Sequence, residues 1–160
     1  MAQYIFDEYK RQSGEVIDEM KLHKLLYFVQ RESLAVTGEP MFSEEFEGWR
    51  YGPVCREVRE YYSKDGILLD DLRELSPMGE YIAKNIVLQY GPIESWQLSR
   101  MSHRETSWKN ARKGMSASMN GRVKLLLDDI REDAKRVRPY DSVWDMYYDE
   151  FGSNVLRKNT

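Results

Sequence analysis

The sequence predicts a mainly α protein, a compact single-domain bundle of about seven or eight short helices with a minor β-hairpin or short extended element. Apolar residues recur at three- and four-residue spacing through most of the chain, as the buried stripe of a helix requires. Capping and breaking residues interrupt that pattern at intervals of one helix length. The size agrees: 160 residues, 41% of them hydrophobic, with eleven Tyr and four Trp, supply one core. No repeat, low-complexity tract or linker divides the chain, so residues 1–151 are expected to form the domain and 152–160 a flexible tail.

The first helix carries Ala2, Ile5, Phe6 and Tyr9 on one stripe, and Ser13-Gly14 stops it. Asp18 caps the second, with Ile17 and Leu22 at hydrophobic-staple spacing. Leu22, Leu25, Leu26, Val29, Ser33 and Val36 trace its face until Gly38-Glu39-Pro40. Tyr27 and Phe28 widen that surface, which predicts a central helix. Phe46, Trp49 and Tyr51 have no helical spacing, and glycines interrupt them, so a short hairpin is expected. Gly52-Pro53 then opens a helix with Pro at its first position, burying Val54, Val58, Tyr61 and Tyr62. Asp65-Gly66 makes a turn, and Ile67, Leu68 and Leu69 suit a short strand.

Ser76-Pro77 starts the next helix, through Met78, Tyr81, Ile82, Ile86 and Tyr90 to Gly91. Pro92 begins a short one with Ile93, Trp96 and Met101. Ser102-His103-Arg104-Glu105 has capping-box spacing, which places His103 at the start of a helix bearing Trp108, Ala111 and Arg112. After a loop over 114–121, Val123, Leu126, Leu127, Ile130, Ala134 and Val137 read as one amphipathic helix, ended by Pro139. Val143, Trp144, Tyr147, Tyr148 and Phe151 suit a last aromatic helix.

Composition and motifs narrow the function classes. No run of about 20 apolar residues predicts a membrane span, and the charged start MAQYIFDEYKRQ is unlike a secretory leader. With a lone Cys55, these features make the cytoplasm the expected compartment. No phosphate-cradling GxxxxGK[ST] or GxGxxG occurs, and His23 and His103 have no ligand spacing. Neither metal, cofactor nor catalytic residue is therefore expected; a small hydrolase or transferase using His103 ranks last. The net charge of −3 does not suit a dedicated nucleic-acid binder. From Arg100 to Lys124, however, seven Lys or Arg face one acid, Glu105, while Leu125 to Glu150 holds eight acids and four bases. Two readings stand: solvated faces of opposite sign, or a basic patch for an acidic partner. A nucleic-acid-binding, autoregulatory role for 100–124 is the alternative function.

Three segments carry a family resemblance. Lys21-Leu22-His23-Lys24-Leu25-Leu26-Tyr27-Phe28-Val29-Gln30 is similar to the KLxKLLYYxQ helix of the Panacea, or SocA-like antitoxin, domain. Trp49-Arg50-Tyr51-Gly52-Pro53-Val54 resembles its WxYGPV motif, followed by Glu57-Val58 and Tyr61-Tyr62. Leu98-Ser99, Ser102-His103, Trp108 and Ala111-Arg112 resemble its third segment. Order and spacing agree over roughly residues 3–138. His23 stands where the family more often has Gln, and Ser107 where Pro is frequent; the region after Pro139 lies outside the resemblance.

The resemblance implies an antitoxin-like module that catalyses nothing. Such a module neutralises a toxin encoded in the same operon, by direct binding or by handing it to a cellular protease. The partner-binding residues it suggests are Trp49, Arg50, Tyr51, Gly52, Pro53, His103, Trp108 and Arg112. Large aromatics anchor interfaces, and Arg50 and Arg112 suit bidentate contact with a carboxylate. His103 either bonds a neighbouring loop or lines that surface with Trp108. The WRYGPV run is equally open to an architectural reading, since aromatics dominate cores as well as interfaces.

Overall fold

A computed structural model describes residues 1–67 and 74–138. Among them seven helices surround one core, with two small antiparallel hairpins. In chain order they are α1 (Ala2–Ser13), α2 (Glu19–Thr37), β1 (Phe46–Trp49), β2 (Gly52–Cys55), α3 (Arg56–Tyr61), β3 (Tyr62–Ser63) and β4 (Gly66–Ile67). Then follow α4 (Pro77–Tyr90), α5 (Ser95–Ser102), α6 (Thr106–Ala111) and α7 (Leu127–Ala134).

The axis of the molecule is α2, packed against α1, α4, α5, α7 and β2. Asp18 caps it by accepting the Lys21 N–H at 2.8 Å, Ile17 and Leu22 are both fully buried, and Gly38 ends it in the left-handed conformation. Leu22, Leu25, Tyr27, Phe28 and Val29 have no exposed surface. The polar residues between them are buried too, and each ties down a neighbour. Lys21 donates to the Gly91 carbonyl at 2.7 Å and to the Tyr9 hydroxyl at 3.3 Å. Gln30 donates to the Phe42 carbonyl and accepts from the Met41 N–H. Arg31 pairs with Glu105 at 2.6 Å. A helix buried on every side holds its fold by such bonds, because an unpaired polar group there costs about 1–3 kcal/mol.

The expected central helix, hairpin, Asp65-Gly66 turn and Ser76-Pro77 helix start are all present. Four expectations need correction, the smallest being that the helix read from Pro92 starts at Ser95, after its N-cap Glu94, and leaves Ile93 outside it. Pro53 does not open a helix: it pairs with Gly48 inside β2, where an edge strand tolerates its missing N–H, and α3 begins at Arg56 with Tyr61 exposed. Ser102 does not cap a helix but ends α5, so His103 is the C-cap of α5 and α6 starts at Thr106. The amphipathic helix begins at Leu127 rather than Val123, and Val123 and Leu126 are exposed. The Gly48 N–H donates to the Val123 carbonyl, and the Leu125 N–H to the Phe46 carbonyl, each at 2.8 Å. Pairing with β1 takes those residues away from the helix. The expected strand at Leu68 and Leu69, the Pro139 stop, the helix over 143–151 and the tail lie outside the described residues.

Candidate functional site

The three motif segments meet at the first hairpin. β1 and β2 pair from Phe46↔Cys55 to Trp49↔Gly52, leaving Arg50-Tyr51 as a two-residue turn. Gly52 has φ +112°, a conformation that disfavours any side chain. A Cβ there would also lie 2.4 Å from the Ser102 hydroxyl and 2.5 Å from Lys24 Cε. Only glycine lets the hairpin lie this close to α2 and α5.

Side chains from three helices hold the hairpin by its backbone. From α2, Lys24 Nζ donates to the Pro53 carbonyl at 3.0 Å, and His23 Nδ1 accepts the Cys55 N–H at 3.2 Å. From α5, the Ser99 hydroxyl donates to the Tyr51 carbonyl at 2.7 Å. From α6 and its C-cap, Trp108 Nε1 donates to the Trp49 carbonyl at 2.8 Å, and Arg112 donates to the Gly48 carbonyl at 3.0 Å. Four carbonyls and one N–H of a ten-residue hairpin are thus met by side chains of the resembling segments. Backbone groups that cannot reach water need such partners.

The eight residues named from sequence therefore gather in one place but do different things. Gly52 and Pro53 are buried in the hairpin. Arg112, 7% exposed, donates to the carbonyls of Gly48, Ser116 and Met119, so its guanidinium is engaged within the chain. The His103 ring stacks on Trp108 at 4.1 Å and 10°, with the Arg112 guanidinium 5.3 Å from the same indole. Trp49 is half-buried, its Nε1 donating to Glu47 at 2.7 Å. Arg50 is exposed with its guanidinium 5.0 Å from the Tyr51 ring, and Tyr51 is 54% exposed. The turn is the part of the motif that faces outward.

Electrostatics follow burial. Lys24 is 1% exposed, and desolvation pulls its ammonium down to about 7, against the weaker pull of Asp18 and Glu19. Burial also lowers His23, opposed by its hydrogen bond with Glu19 at 3.3 Å. His103 is lowered by burial and by Lys24 and Arg112, and its Nε2 is buried without a partner among the described residues. Cys55 is buried, which pushes its thiol up to about 11 and leaves it a poor nucleophile at neutral pH. No group of three His, Cys, Asp or Glu among the described residues could hold a metal ion.

Beside the hairpin lies a cleft of about 480 Å³, lined by Trp49, Arg56, Arg59, Glu60, Asn120 and Arg122. A second hollow of about 240 Å³ shares Trp49, Arg59 and Asn120, with His23 and Lys24 also on its wall. Sequence reasoning did not single out the cradle residues Lys24, Ser99 and Ser102 or the arginines of the cleft. Two lysines, Lys21 and Lys24, beside the apolar run Leu25–Val29 of a helix expected to be central were a usable signal, since lysine is almost never fully buried unless it is paired. Of the seven basic residues over 100–124, Arg112 is buried and Lys124 pairs with Glu45 at 2.5 Å, while Arg100, Arg104, Lys109, Lys113 and Arg122 are exposed.

The chain matches a known family across the segments that build this site. The family model described as antitoxin SocA-like, Panacea domain, matches residues 22–109, from the start of α2 into α6. No curated protein matches the chain, and no solved structure does.

Proposed function

The chain belongs to the antitoxin SocA-like Panacea domain family, and on that footing we propose that it neutralises a cognate toxin by binding it through the outward turn of the 46–55 hairpin. The observation that carries this reading is the contrast within the motif. Its backbone is fastened by Lys24, His23, Ser99, Trp108 and Arg112, while Arg50 and Tyr51 project into solvent. A rigid stem that presents an aromatic and a guanidinium loses little freedom on association, which favours affinity. Tyr and Arg are also the residue types that dominate interface energies. The partner is a toxin protein encoded beside this chain, and no step of substrate turnover belongs to the reading. Delivery to a protease, if it follows, follows binding.

The test is co-expression with the product of the adjacent gene. We expect that product to arrest growth alone and to be held in a stable complex by this chain. Arg50→Glu with Tyr51→Ala should leave stability within about 0.5 kcal/mol of wild type, as exposed substitutions do, yet abolish capture and rescue. A harmless neighbour that forms no complex would remove the proposal. The level of the co-expressed toxin separates the two routes: it stays constant if binding suffices and falls if a protease is engaged.

A further inference from the structure

We infer that the cleft between the hairpin and α3 receives an acidic segment of the polypeptide partner, with Arg56, Arg59 and Arg122 as its carboxylate receptors. The inference rests on the protein-binding reading above and names the chemistry of what is bound. Three guanidinium groups and one carboxylate, Glu60, line the cleft. Few of their donors are used within the chain. Arg56 approaches Glu47 and Glu60 only at 3.8 and 3.9 Å, beyond hydrogen-bond distance. Arg122 has no ion pair or hydrogen bond among the described residues, and it is exposed. Arg59 alone has a close partner, Glu19 at 2.9 Å. A guanidinium with open N–H groups matches a carboxylate bidentately, which a lysine cannot do.

The wall of the cleft is already in place. Trp49 is held by its bond to Glu47, and the Arg59 guanidinium lies 5.0 Å from its ring, so indole and guanidinium orient each other. Asn120 accepts the Arg50 N–H at 3.3 Å and thereby joins the loop bearing Arg122 to the turn. Beyond Trp49, the adjoining hollow offers Met20 and Val54 as apolar wall, enough for one apolar side chain next to the acids. A nucleic acid fits less well. It needs an extended basic track, whereas here the cleft is bounded, Glu60 lies inside it and the chain as a whole carries −3.

The probe is a fluorescein-labelled hexapeptide, Asp-Glu-Asp-Phe-Glu-Asp, titrated into the full chain at low salt and followed by anisotropy. Binding should be saturable and should weaken by about tenfold for each of Arg56→Glu and Arg122→Glu, because reversing a charge at a contact makes attraction repulsion. Both side chains are exposed, and thermal melts of the variants should superpose on wild type. Equal affinity in wild type and double variant would overturn the inference. So would displacement of the peptide by oligothymidylate at equal charge concentration, which would mark a general polyanion site. Co-expression separates the two levels. If the neighbouring toxin is captured equally by wild type and the double variant, the cleft inference falls and protein binding stands. If the peptide binds as expected but no toxin is captured, the cleft chemistry stands and the antitoxin reading falls.

Discussion

His23 accepts the Cys55 N–H through Nδ1, so its own proton sits on Nε2, facing Glu19. Burial places its folded pKa below the usual 6.5. Between those values the unfolded chain binds more protons than the folded one, so stability is complete above pH 6.5 and declines as pH falls through the window. Protonation would also replace the acceptor with a donor at the Cys55 amide. His23→Gln supplies an amide oxygen to the same N–H and cannot titrate. Its thermal midpoint should therefore fall less than that of wild type between pH 7 and pH 5, with a residual slope from His103. Lys24 acts on the opposite limb. With a folded pKa of about 7 against an ordinary 10.5, its burial penalty is complete below pH 7 and is relieved as pH rises toward 10.5. Wild type should gain stability from pH 7 to about pH 9.5, and Lys24→Met should lose that gain in urea titrations across the range.

At the scale of elements, α6 is a single short helix whose N-terminus is capped from another one. Asp133 on α7 accepts the Thr106 N–H at 2.7 Å and the Ser107 N–H at 3.0 Å, and also the Tyr27 hydroxyl at 2.9 Å. Burial raises its carboxyl, but the bonds from Ser107, Thr106 and Tyr27 more than offset this and hold it below the usual range. Asp133→Ala should cost about 3 kcal/mol, the cost of breaking a buried charged cluster. Amide exchange should show the loss first at Thr106 and Ser107. Asp18 and Ser76 were legible as caps because each stands three residues before the N–H it binds. Asp133 was not, since it reaches across 26 residues of chain to Ser107. The misplaced starts of α3 and α7 have the same origin. Pro53 and Val123 carry helical signals, and strand pairing with β1 overrides both.

For the whole molecule, the buried polar residues of α2 bind α4, the 38–45 connection, the hairpin and the start of α6. Unfolding should accordingly be one transition. Melts followed by near- and far-ultraviolet dichroism should coincide, and the Gly48 and Cys55 amides should exchange only through global opening. Early exchange at the hairpin would show that it moves independently of the bundle. Sequence alone placed three motif segments in order and identified the hairpin. It left open whether Trp49 and His103 face a partner or the core, and it gave Arg112 to a partner carboxylate where the fold gives it to carbonyls of its own chain, because spacing along one element does not state what packs over it. The outcome is mixed among the named residues: Arg112 of the third segment is turned inward to carbonyls, and Tyr51 of the second outward.

Four of the bonds that fasten the hairpin end on carbonyl oxygens, which any amino acid would supply. The anchoring is therefore indifferent to the identity of residues 50 and 51. Those two positions can be rewritten, by natural drift or by an engineer, with the stem beneath them unaltered. Under the proposed binding mode, a change of specificity at the turn asks nothing of the stem.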